Sequence, residues 1–151
     1  MVRLLWFCLG LTLQFKRMTF DDLYWTFCSW GFAIKPEYYQ RFKVYFEEML
    51  RRKRVLIISE GNQFQAVIMF FITRNHETLA NKPEFSIPYD DENGTEIYID
   101  KMIAKSFNLK LKRIVQDTFE SLYPNVQIGF WHREPNNRCV VTYKRRIKHA
   151  S

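Results

Sequence analysis

Glycine and proline stand at only five each in 151 residues, and cysteine and histidine at three each. So little glycine and proline excludes a collagen-like, linker-rich or low-complexity chain. The cysteines, Cys8, Cys28 and Cys139, are odd in number and lack a Cys-x-x-Cys pair. That argues against a disulfide framework and against a structural zinc site. The histidines are scattered, so no dense metal cluster is expected and no metal is assigned. No apolar run reaches the roughly 20 residues that span a bilayer, so no membrane partner is expected. Cysteine used in this way suits a reducing compartment and predicts a cytoplasmic protein.

What the chain does have is apolar and aromatic mass. Hydrophobic residues make up 47% and aromatics 17% of the sequence. A chain of this length makes one domain over 1–151, able to bury roughly 68–70% of its unfolded surface. The formal charge of +7 permits an anionic partner without naming one.

The N-terminal stretch 1–13, with one Arg before an apolar run, imitates a secretory signal. No small-x-small site follows it. Leu11, Leu13, Phe15 and Arg17 instead alternate with Thr12, Gln14 and Lys16, as in a half-buried strand. We read the segment as part of the fold; a start at Met18 would delete that strand.

Thr19 and Asp22 form a capping-box pair, which predicts a helix over 20–29 with Gly31 stopping it. Pro36 opens a second helix with Tyr38, Tyr39, Phe42, Phe46, Met49 and Leu50 on one face. Arg51, Arg52, Lys53 and Arg54 close it against the negative helix end. The runs 55–59 and 66–73 are too apolar for a surface strand and read as a central hairpin around the turn 60–63. A long polar connection, 75–95, carries Pro83, Pro88 and the acidic Asp90, Asp91 and Glu92; connections of that length are usually functional or mobile. A strand over 96–104, a helix over 108–123 and a strand over 126–131 follow. The helix has Leu111, Ile114, Val115, Phe119 and Leu122 as its expected buried stripe. The last element, 136–146, is either helix or strand.

This order resembles the GNAT superfamily of N-acetyltransferases. The resemblance is carried by LTLQFKRMTFDDLYWTF as a first strand and helix, and by RVLIISEGNQFQAVIMFFITR as the second and third strands. It is carried also by VQIGFW followed by Asn136 and Tyr143, spaced as in the family's N-x-x-A-x-x-L/F-Y helix. Cys139 and Thr142 take that motif's small and apolar places. It implies an α/β (α+β) fold with a mixed, mostly antiparallel sheet flanked by helices, here C-terminally truncated, with the sixth and seventh strands absent or supplied otherwise. Size and losses make the chain similar to short GNAT-like proteins of tailed phages, some of them in virion assembly.

The resemblance implies acetyl-CoA as donor, Tyr143 as the acid that protonates the leaving thiolate, and Glu96 or Asp100 as base. Those two carboxylates lie an even interval apart on a strand and share a face, where the bland alternatives are edge-strand charge facing solvent or pairing with a lysine. The donor turn corresponds to Lys105, Ser106, Asn108 and Lys110, with Asn136 further on. The family's Q/R-x-x-G-x-G/A glycines are missing, since no glycine occurs between Gly94 and Gly129. Phosphates need bare backbone to approach, so Phe107 and Leu109 predict weak coenzyme binding unless lysines compensate. Cations at Lys110, Lys112 and Arg113 oppose the dipole of the helix they open.

The C-terminal cluster Arg138, Lys144, Arg145 and Arg146, interleaved with aromatics, is a candidate nucleic-acid or protein contact, or a solvated tail. Two functions are therefore expected. One is an N-acyltransferase; the other is a non-catalytic GNAT-like basic module in (phage) virion assembly, cytoplasmic or virion-associated.

Overall fold

A computed structural model of the chain describes residues 19–61, 63–79, 82–87, 91–124 and 126, and the backbone of 2–4, 128–133 and 139–144. It divides into two compact units, Met1–Met69 with Lys101–Asn108, and Phe70–Asp100 with Leu109–Ser151.

The first unit begins with β1 (Val2–Leu4) and α1 (Phe20–Ser29). The Thr19 and Asp22 side chains and backbone N–H groups satisfy each other at 3.2 Å, so the capping box forms as its sequence predicts. The helix stops where Gly31 takes φ +90°. There the Gly31 N–H donates to the Cys28 carbonyl and the Phe32 N–H to the Phe27 carbonyl, at 3.0 and 3.1 Å. This is the double closure that a left-handed residue after a helix permits, with the Phe27 and Phe32 rings in contact beneath it.

Pro36 opens a single 3-10 turn, Pro36–Tyr38, before α2 (Tyr39–Arg51) begins. The same closure ends α2, with Arg54 donating to Met49, but Lys53 occupies the left-handed position at φ 59°. Between the two helices the rings of Phe20, Phe27, Phe42 and Phe46 meet edge-on or tilted at 5.3–6.5 Å. Phe27, Phe42 and Phe46 are almost wholly buried, each contributing about 1.5–3 kcal/mol.

The hairpin of β2 (Val55–Glu60) and β3 (Gln63–Thr73) follows. Val55 faces Met69 and Ile57 faces Val67, and the register slips between Ile58 and Ser59. Gly61 turns it at φ 60°, so the turn is tighter than the sequence suggests. Ala66 to Ile72 are buried without alternation, as a central strand covered on both faces requires. The order in this unit is β1-β2-β3-β4, where β4 is Glu96–Ala104.

In the second unit the order is β3-β4-β5-β6, with β5 at Ile128–Arg133 and β6 at Cys139–Lys144. β5 runs parallel to β4, and β6 antiparallel to β5. The parallel step is made through α3 (Leu109–Leu122), as a crossover must be. Leu111, Val115, Thr118 and Phe119 are its buried residues, and Thr118 is satisfied by the Ile114 carbonyl. Of the expected stripe, Ile114 and Leu122 are only half-buried. Phe70 lies edge-on to Phe119 at 4.9 Å and to Tyr123 at 5.7 Å, clamping α3 to β3.

Helices with a mixed, mostly antiparallel sheet make this an α+β fold. The last element, open between helix and strand in the sequence, is a strand and not the helix the resemblance implied, because Val140, Val141, Thr142 and Tyr143 suit a pleated surface better than a helical one. The strand expected at 11–17 lies outside the described residues; the observed β1 is Val2–Leu4.

Candidate functional site

Alternation along β4 places Glu96, Tyr98 and Asp100 on one face and Ile97 and Ile99 on the other. The even interval between the two carboxylates therefore does bring them to a common face. That face is not open. The connection after β3, expected to be functional or mobile, folds back onto it through named contacts.

The Asp91 N–H donates to the Ile72 carbonyl at 2.9 Å, and the Asp91 carboxylate takes the Arg74 guanidinium at 2.6 Å. Gly94 is required here, because a Cβ would stand 2.6 Å from the Thr73 carbonyl carbon. Leu79 and Phe85 are the segment's buried apolar anchors. Within this frame Glu96 Oε2 accepts the His76 backbone N–H at 2.6 Å and lies 3.1 Å from His76 Nδ1. Asp100 Oδ2 lies 3.0 Å from Lys82 Nζ, with the two side chains only 9% and 7% exposed. Lys82 also donates to the Ser86 carbonyl at 3.1 Å and stands 5.6 Å from the Phe71 ring centre.

Each carboxylate is thus matched to a cation-forming side chain from one short segment. Sequence reasoning named Glu96 and Asp100 but missed His76 and Lys82. The anticipated lysine partner was the one available signal, and nothing in the sequence marked Lys82 over its neighbours.

The other expected residues are placed as follows. Lys105, Ser106 and Asn108, in the first unit, are exposed, and the Lys105 N–H donates to the Gln65 carbonyl at 2.9 Å. Lys110, in the second unit, is exposed on α3. Phe107 and Leu109 are exposed by 54% and 71%. The Tyr143 backbone lies on β6 opposite Gly129, which removes the helical setting the resemblance gave it. Lys144 ends that strand opposite Ile128. Asn136, Arg138, Arg145 and Arg146 lie outside the described residues.

The basic run 51–54 is largely committed to the fold. Arg51 and Arg52 both bind Glu48, and Arg54 is buried. These hydrogen bonds hold the Glu48 carboxyl down at about 2. Elsewhere in that unit, burial and then a hydrogen bond to the Cys28 thiol push the Tyr24 phenol above its ordinary value.

Among the described residues no group of three or more His, Cys, Asp or Glu side chains could hold a metal ion. No helix among them is long and apolar enough to cross a membrane. No family model, curated protein or solved structure matches the chain.

Proposed function

We propose that this chain is a non-catalytic module of GNAT-like descent that works by contact with another macromolecule. The observation that carries the reading is the Lys82–Asp100 pair. A general base must reach a substrate amine with a carboxylate free to take its proton. Asp100 instead holds a lysine at 3.0 Å with both side chains nearly dry. The glycine-free, side-chain-bearing stretch 105–110 supports the same reading, since a pyrophosphate has no bare backbone to approach. Assembly into a larger particle, with Arg138, Lys144, Arg145 and Arg146 at the contact, and a cytoplasmic or virion-associated location, go with it.

One observation favours the acyltransferase alternative, with Tyr143 as acid. His76 Nδ1 lies 3.1 Å from Glu96, and a carboxylate beside an imidazole is a common way to orient a base. Isothermal titration with coenzyme A separates the two. The module should give no saturable heat. A dissociation constant in the low micromolar range, on the order of −8 kcal/mol, would overturn it.

A further inference from the structure

In the second unit the described cationic side chains divide sharply. Arg74 is held by Asp91, His76 by Glu96 and Lys82 by Asp100. Lys110, Lys112 and Arg113 have no acidic partner among the described residues, and all three are exposed. Asp117 stands one turn after Arg113, yet the two form no ion pair.

Arg113 lies on the side of α3 opposite its buried Leu111, Val115, Thr118 and Phe119, with Lys110 and Lys112 on the two flanks of that side. The acids of the helix, Asp117 and Glu120, come later along it. This sequence of charge, cations first and acids last, runs against the helix dipole at both ends. A local rule broken without an internal compensation marks a residue set kept for another purpose. Exposed apolar surface on this face is confined to Leu109, too little for insertion into a lipid surface. Clustered guanidinium and ammonium groups with little apolar surface suit a phosphate backbone.

We propose that Lys110, Lys112 and Arg113 form a contact surface for the phosphodiester backbone of a nucleic acid. This rests on the contact-module reading and names its partner class. The two fail separately, because coenzyme A binding would remove that reading and leave an oligonucleotide result standing.

The test is fluorescence anisotropy of a labelled single-stranded DNA oligonucleotide over a salt series, using the full chain. Compared with wild type, Lys110→Glu, Lys112→Glu, Arg113→Glu together should weaken binding at least tenfold. The log–log salt slope should shrink by about 2, at about 0.7 per lost contact. The charge reversal follows the helix dipole, so the melting temperature should hold or rise while binding falls. The Gln triple variant should show an intermediate loss, and guards against a folding artefact of the Glu triple. No wild-type binding at low salt would overturn the proposal. So would unchanged affinity and slope in the triple variant, including the case where Arg145→Glu with Arg146→Glu abolishes binding instead. Tighter binding to phosphatidylserine vesicles than to the oligonucleotide, lost in the same variant, would assign the surface to lipid and overturn it as well.

Discussion

Replacing Asp100 with Asn tests how the connection after β3 is held on β4. The substitution keeps the shape of the side chain and removes its charge. Lys82 then retains the Ser86 carbonyl at 3.1 Å, the Pro83 carbonyl at 3.4 Å and the Phe71 ring at 5.6 Å. Its side chain, 7% exposed in the wild type, loses the Asp100 carboxylate. Breaking one side of a buried ion pair costs about 3–5 kcal/mol. The surviving carbonyl acceptors place Asp100→Asn at the lower end, about 3 kcal/mol. A domain is stable by only about 5–15 kcal/mol, so a loss of that size moves the urea midpoint visibly. Removing both charges, Lys82→Met with Asp100→Leu, leaves no stranded ion and should cost much less than the sum of the single changes. The double-mutant cycle should therefore show a coupling of about 2 kcal/mol or more. Salt should change the wild-type value little, because a dry pair is poorly screened. Asp100→Asn within about 0.5 kcal/mol of wild type, in the range of ordinary surface changes, would refute the description of this pair as buried.

Other expectations follow from the packing and the titration of named groups. Phe70→Ala removes the ring between β3 and α3 and should cost about 3–5 kcal/mol in urea denaturation; near wild-type stability would show that Phe119 and Tyr123 close over the gap. Lys53→Gly relieves a left-handed non-glycine residue at φ 59° and, after the entropy of the unfolded glycine, should stabilise by up to about 1 kcal/mol, while a loss would mean the Lys53 side chain contributes elsewhere. Glu48 lies at about 2, below its ordinary 4.5, so its folded form binds a proton less readily than its unfolded form. Its contribution is therefore present above pH 4.5 and lost as pH falls through about 2. A carbon-13 carboxyl titration giving an ordinary midpoint would show that Arg51 and Arg52 do not hold it.

Local chemistry made much of the fold legible in advance. The Thr19–Asp22 capping box, the stop at Gly31, the proline that opens the second helical segment and the apolar runs of the hairpin all act through bonds within a few residues of themselves. They therefore read correctly from the chain alone. The end of the chain stayed open between helix and strand, because Asn136 and Tyr143 matched a helical spacing while Val140, Val141 and Thr142 favoured extension. Pairing with β5, a partner defined only in three dimensions, decided for the strand.

The candidate site divides the same way. Period-two alternation was enough to put Glu96 and Asp100 on one face, since it is a property of one strand. Whether that face met solvent, substrate or protein depended on where the 74–95 connection returned. That return is made by a backbone bond from Asp91 to Ile72, a glycine pressed against Thr73, and side chains at His76 and Lys82 with no motif to announce them. Residue type and spacing thus determined which groups could do chemistry. Burial and pairing, which come from contacts between residues about twenty apart in sequence, decided that Asp100 is committed to Lys82.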